Sequence, residues 1–339
     1  KTKVIIRYKA KPGKAEQARL KKENEAQIRF VYDNVNAIAA RVPPGQLKAI
    51  KARKNVQAIE IDHPLTIADA ELDASWGVEH IGAGLVHDSG NTGAGIRVAV
   101  IDTGIYCAHP DLDANCINGP SYIDGTTSDD DHGHGTHVGG IIAAEDNDSG
   151  VVGVAPGATL VAMKVLDSTG GGDYSGLIAA LDQIASWNTD PAQPDIHVVN
   201  MSVGGHEVSA TLQQAVANAS DAGAVLVGAS GNVLTLWEIL FGCPVVYPAA
   251  YPQVLAVTHT NGDNALTGTS CTGAEVDFGA PGEAVTSTVP PTGSISSSSG
   301  YGAASGTSMA SPHVAGAVAL MRSHGVHDRS AIKGQLCDA

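Results

Sequence analysis

Hydrophobic and polar positions divide the chain into two regimes. Residues 1–9 are β-rich, Pro12-Gly13 makes a turn, and residues 14–30 carry Ala, Leu and Ile at mixed helical spacings, which predicts a strand followed by a helix. Residues 35–42 alternate, Pro43-Pro44-Gly45 breaks the run, residues 46–54 predict a short helix and residues 56–61 a closing strand. This is the pattern of a small α+β sandwich, a size that is marginal alone and gains from docking. Residues 63–76 lack periodicity and read as a linker. From residue 96 continuous apolar runs at 96–101, 159–166, 196–201, 224–229 and 254–258 are separated by helix-like stretches at 176–187 and 210–222. Uninterrupted Val, Ile and Ala strands between helices predict a parallel sheet covered on both faces.

Charge sharpens this division. Residues 1–70 hold 15 Lys+Arg against 7 Asp+Glu, a surplus of +8, whereas residues 71–339 hold 5 against 28, a deficit of −23. The boundary therefore falls near residue 70, with domains at 1–70 and 71–339 whose opposite charges suit docking. So acidic a body argues against nucleic-acid binding. No apolar run reaches the roughly 18 residues of a membrane span. Lys1 opens directly in strand pattern, so these residues do not read as a signal peptide, and a leader removed before this point stays compatible with the pattern. The five cysteines lack Cys-x-x-Cys spacing, which argues against a zinc ribbon or thioredoxin-like site. Cys107 with Cys116 and Cys243 with Cys271 are candidate disulfides for an exported protein; five reduced thiols fit the count equally well.

Three segments carry chemistry. Val98-Ala-Val-Ile-Asp102-Thr-Gly104 delivers a carboxylate to the carboxyl end of a strand, where open α/β sheets place ligands. His132-Gly-His134-Gly-Thr-His137 precedes a helical stretch. Gly306-Thr-Ser308-Met-Ala-Ser-Pro312 puts a hydroxyl at the start of an Ala-rich helix, whose positive end favours developing negative charge. Carboxylate, imidazole and hydroxyl together suit a relay in which His134 takes the proton of Ser308 and Asp102 orients the ring.

In this order the three segments resemble those of the subtilisin family of serine peptidases. The resemblance extends over nearly the whole chain and implies a three-layer α/β fold with a mainly parallel sheet, preceded by a ferredoxin-like α+β propeptide. It implies that Asp102, His134 and Ser308 are the triad, and that Asn232, with the Ser308 N–H, forms the oxyanion hole. It further implies that Gly170, Gly171 and Gly172 form one backbone edge clamping the substrate as an added strand, and Ser202, Val203 and Gly204 the other. Tyr174 lines a pocket beyond them. Val246 stands where the family often has glycine, which makes the primary specificity pocket shallower. The apolar stretch 233–246 departs from the family and reads as a hydrophobic rim, a dimer contact or a wall.

By the same resemblance Glu145, Asn147, Ser149 and Val151, joined by Asp111, form a Ca²⁺ loop, and Glu275 and Asp277 a weaker cation site. Residues 1–63 resemble an inhibitor-type propeptide that templates folding and is released by autoprocessing near residues 69–73. The implied protein is a secreted, monomeric zymogen of a broad-specificity endopeptidase acting on polypeptides through an acyl-enzyme. Nothing after residue 336 resembles the family's closing segment, so a truncated C-terminus is expected. Two alternatives stand beside this one: a metal-dependent hydrolase using His132, His134 and His137, and a catalytically silent binding scaffold.

Overall fold

The structure is a computed structural model that describes residues 1–32, 35–61, 70–233, 235, 238–239 and 242–337. The chain divides into two units, Lys1–Ile67 and Ala68–Ala339. In the first, strands β1 (Thr2–Tyr8), β2 (Gln27–Val31), β3 (Ala37–Val42) and β4 (Val56–Ile61) form an antiparallel sheet in the order β2-β3-β1-β4. Helices α1 (Lys14–Glu23) and α2 (Leu47–Lys51) complete a β-α-β-β-α-β arrangement of the ferredoxin-like kind. Alternation in β1 sends Val4, Ile6 and Tyr8 into a core with Leu20, Ile38, Val42 and Ile50. The helix predicted over residues 14–30 stops at Glu23. Glu25 takes a left-handed conformation, and Ile28 and Phe30 then pair with β3.

The second unit opens with α3 (Ala70–Ala74), α4 (Trp76–His80) and α5 (Ala83–His87), so residues 70–76 are mostly helical rather than the aperiodic linker expected. Its main sheet contains β5 (Arg97–Asp102), β6 (Cys116–Ser121), β7 (Thr159–Lys164), β8 (Val198–Met201), β9 (Val225–Ala229), β10 (Val254–Thr260) and β11 (Val276–Pro281). All pairings are parallel, in the order β11-β10-β9-β8-β5-β7-β6. The intervening helices are α6 (His134–Ala143), α7 (Tyr174–Thr189) and α8 (Ala210–Asp221); a β12 (Val285–Thr288) and β13 (Tyr301–Ala304) hairpin precedes α9 (Thr307–Ser323) and α10 (Arg329–Cys337).

Strand β5 shows why both faces are apolar. Val98 and Val100 join a core with Val138, Ile142, Ala315 and Val318 of α6 and α9, while Ala99 and Ile101 join Leu177, Ile184, Leu212 and Val216 of α7 and α8. The result is a mixed α/β unit of three layers in which β5, near the middle of the sheet, ends at Asp102.

Candidate active site

Asp102 is fully buried at the carboxyl end of β5. Its Oδ1 accepts hydrogen bonds from the Thr103 amide at 2.7 Å and from His134 Nδ1 at 2.7 Å. Burial pulls the His134 imidazole down, but the charge of Asp102, its hydrogen bond and the charge of Asp130 outweigh that, and the net shift is upward. The Nδ1 proton directed at Asp102 leaves Nε2 as the acceptor of the neutral ring.

Asp130, which the sequence does not distinguish from its acidic neighbours, holds strand end and helix start together. Its Oδ1 accepts from Thr103 Oγ1 and from the amides of His132 and Gly133, and its Oδ2 from the amide and hydroxyl of Thr136, at 2.6–3.0 Å. Thr103 Oγ1 in turn accepts the Gly135 amide at 2.9 Å. Gly133 is obligatory here: its φ is 107°, and a β-carbon would lie 1.7 Å from the Ile295 carbonyl oxygen. Buried Lys164, opposite Asp102 in the β5–β7 register, donates to the Thr103 carbonyl and to Asp131, each at 2.6 Å.

Ser308 is the second residue of α9, where amides lack intrahelical partners. Its Oγ donates to the Ser202 carbonyl at 3.3 Å and not to His134; such bonds are often loose in a free enzyme and tighten with substrate. Ser202 Oγ donates to the Ser308 carbonyl at 2.9 Å, accepts from Asn200 Nδ2, and Asn200 Oδ1 accepts from Ser311. This buried chain ties β8 to α9. Asn232 Oδ1 accepts the Thr307 amide at 2.9 Å, which fixes the carboxamide beside Ser308 and leaves its Nδ2 without a partner among the described residues. Gly306, with φ 141°, lets that amide approach, since a β-carbon would meet it at 3.1 Å.

The two expected substrate edges differ in burial. Gly170, Gly171 and Gly172 are exposed, in a loop whose Gly171 amide donates to Asp167 Oδ1 at 3.1 Å. Ser202 is buried, Val203 packs against the core on the α7 and α8 side, and Gly204 lies beside Val246, whose Cγ2 sits 2.4 Å from where a Gly204 β-carbon would be. Tyr174 heads α7, lies against Gly205 and donates its hydroxyl to the Glu207 carbonyl at 2.9 Å. The apolar stretch 233–246 lies partly outside the described residues.

Asp111 is fully buried. Its Oδ2 accepts the Val151 amide at 3.1 Å, its Oδ1 has no hydrogen-bond partner among the described residues, and its backbone carbonyl accepts the Glu145 amide at 2.8 Å. Glu71 of α3, 2% exposed, accepts the amides of Asn147 and Ser149, although residue 71 had signalled nothing in the sequence. The Tyr301 hydroxyl is pushed up to about 12 by burial and by its hydrogen bond to Asp111. Two buried carboxylates around a loop of Asn and Ser form an oxygen-rich set of the kind Ca²⁺ takes. At the second expected cation position, Asp277 pairs with Lys333 and accepts the Ala256 amide at 3.0 Å, so a protein cation already balances its charge; Glu275 lies against Gly273 instead.

The three histidines do not converge. His137 is fully buried, held at Nε2 by the carbonyls of Val285 and Gly302 and pushed down to about 4, first by burial. The His132 ring packs beside Gly170, 6.4 Å from that of His134. Among the described residues no three His, Cys, Asp or Glu side chains are grouped to hold a metal ion, so the metal-dependent alternative gains no support from this arrangement. Cys107–Cys116 and Cys243–Cys271 are disulfides, and Cys337 is free and exposed.

Residues 93–330 match the Subtilase family. Subtilisin E of Bacillus subtilis is 40% identical over 304 residues, covering 89% of this chain and 74% of that protein. The thermostable alkaline protease of Halalkalibacterium halodurans is 41% identical over 293 residues, covering 86% and 74%. An alkaline protease of Shouchella clausii is 38% identical over 310 residues, covering 91% and 75%. A match over most of the chain, on a parallel sheet whose strand β5 ends in a buried aspartate bonded to His134, settles the assignment: the chain belongs to the subtilase family and is a subtilisin-like serine endopeptidase.

Proposed function

We propose that the chain is the zymogen of a secreted, broad-specificity endopeptidase in which Asp102, His134 and Ser308 act as a triad. The observation that carries this reading is the 2.7 Å bond from His134 Nδ1 to buried Asp102, which orients the ring and stabilises its charged form. Ser308 Oγ attacks the scissile carbonyl carbon while His134 Nε2 takes the hydroxyl proton; the imidazolium then gives that proton to the leaving amine, and a water repeats the sequence to free the acid. The oxyanion sits against the Ser308 amide and Asn232 Nδ2, whose position the Thr307 amide fixes. In enzymes of this kind one such donor is worth about 3–4 kcal/mol in the transition state. Gly170–172 and Ser202–Gly204 offer backbone groups to any peptide, which favours breadth over sequence selectivity.

The unit Lys1–Ile67 serves as propeptide, inhibiting the enzyme and templating its folding. Support comes from its separate core, its net positive charge where the second unit is acidic, and alignments that cover 89% of the chain, more than Ala68–Ala339 alone supplies. Processing takes place near residues 69–73, of which residue 69 lies outside the described residues. The buried carboxylates of Asp111 and Glu71, joined by neutral oxygens of Asn147, Ser149 and Val151, hold Ca²⁺, which supplies positive charge to them and anchors the start of the second unit, while the Glu145 carboxylate accepts the Ala114 amide at 2.8 Å.

Ser308→Ala tests the whole reading. It should abolish casein hydrolysis and self-processing while leaving a folded precursor, seen intact by mass spectrometry. Release of a fragment of the first unit by that variant would overturn the assignment.

A further inference from the structure

Arg97 begins β5 at the edge of the sheet opposite the one where Asp102 ends it. Ala99 and Ile101 pack toward α7 and α8, and by alternation Arg97 shares that side. There it lines a cavity of about 380 Å³ together with Ile117 and Pro120 of β6, Trp187 in the last turn of α7, Pro194 and Ile196. That volume lies within the range of small-molecule sites, roughly 300–1,000 Å³. Most of the wall is apolar or aromatic, with Asn118 and Gln193 as its uncharged polar members, and Ile117 leaves 40% of its surface exposed on the edge strand.

The guanidinium is the anomaly. Residues 71–339 contain five Lys and Arg against 28 Asp and Glu. Lys164 is engaged by Thr103 and Asp131, Arg322 by the Gly223 and His327 carbonyls, Arg329 by the Val254 carbonyl and Lys333 by Asp277. The Arg97 side chain makes no hydrogen bond or ion pair among the described residues; its backbone is engaged, the amide donating to His197 Nδ1 and the carbonyl accepting the His197 amide, each at 3.0 Å. In so acidic a body, one unpaired cation over an apolar cavity is a receptor for negative charge.

We propose that this cavity binds a small amphipathic carboxylate bearing one aromatic ring or branched chain. The planar guanidinium fork matches the two oxygens of one carboxylate, and a single cation suits a monoanion better than a phosphate dianion. The ring lies on Trp187, Ile117 and the prolines, where excluded water strengthens the ion pair. The site is remote from Ser308 and owes nothing to the peptidase reaction.

The test is calorimetric titration of the full chain with 3-phenylpropionate and with 3-phenylpropionamide, its neutral counterpart. The acid should bind saturably in the millimolar range or tighter, and the amide at least tenfold more weakly, as expected for loss of a charge-assisted hydrogen bond. Arg97→Gln should erase the difference between the two, Trp187→Leu should weaken both, and Arg97→Lys should retain part of the preference; circular dichroism verifies each fold. Equal binding of acid and amide by the parent, an unchanged preference in Arg97→Gln, or no saturable binding of the acid would each overturn the proposal. Should Arg97→Gln not fold, Arg97→Lys and the acid–amide pair still decide.

Discussion

Val246→Gly probes the specificity pocket most directly. The isopropyl group fills the gap between two glycine segments: a β-carbon at Gly204 would lie 2.4 Å from its Cγ2, and one at Gly231 2.8 Å from its Cγ1. Val246 is 7% exposed, and its amide donates to the Ser230 carbonyl at 3.0 Å, so the side chain has nowhere else to go. Deleting it removes three buried carbons, about 1.5–3 kcal/mol, and glycine adds about 0.5–1 kcal/mol of backbone entropy, so the folded state should lose roughly 2–4 kcal/mol. The space between residues 202–204 and 229–231 would then admit a ring. Forcing an aromatic side chain against the parent's valine costs about 1–3 kcal/mol, so the variant should gain roughly five- to 150-fold in kcat/KM on Phe or Tyr substrates. Alanine substrates, too short to reach the floor, should change little. The assay compares kcat/KM on peptide anilides differing only in the residue before the scissile bond, with the unfolding midpoint followed in parallel. A uniform change across Ala, Leu and Phe substrates would refute the placement of Val246 at the pocket floor.

Three further outcomes are expected. Ca²⁺ at 100 times its dissociation constant adds about 2.7 kcal/mol, so EDTA should lower the unfolding temperature by roughly 5–10 °C, and Glu71→Gln should reproduce part of that loss; coincident melting curves with and without EDTA would count against the site. Because the His134 pKa is raised, activity should fall as pH drops through a midpoint higher than that of an unperturbed histidine, since imidazolium cannot accept the Ser308 proton. The same shift stabilises the fold below the unfolded-state pKa, a contribution lost as pH rises through the raised value. Asp102→Asn should move the kinetic midpoint to lower pH and reduce kcat about 10⁴-fold; a midpoint that stays in place would show that Asp102 does not control the ring. Met309, 2% exposed beside Ser308, should make the enzyme sensitive to peroxide, and Met309→Ala should resist; equal inactivation rates would place the lesion elsewhere.

Much of this molecule was legible because its chemistry sits at the ends of continuous apolar strands. The run 96–101 announces β5, and Asp102 follows directly. Edge elements were harder to read: β6 contains Asn118 and Gly119, which lower strand propensity, and Pro120, which strands tolerate only at an edge, a start or a bulge. The helix α3 escaped because five residues carry too little periodicity, and with it went Glu71, whose partners stand 76 and 78 positions away. Asp129, Asp130 and Asp131 are interchangeable in sequence. In three dimensions burial raises the Asp129 pKa, Asp130 holds the start of α6, and Asp131 meets Lys164.

The strand order has a consequence for how the enzyme comes into being. Beside β5, at the centre of the sheet, Val98 pairs with Val198, a hundred residues further along the chain, and all the sequence between must be organised before that ladder can close. Parallel sheets built from such distant partners reach their transition state slowly, because loop entropy is lost before the new contacts return it. Once closed, β5 is held on both sides, by three register pairs to β8 and six to β7, and both ladders must part before the strand can leave. Where cleavage outpaces reclosing, survival in a proteolytic medium follows the rate at which this sheet opens, a height of barrier rather than a depth of minimum.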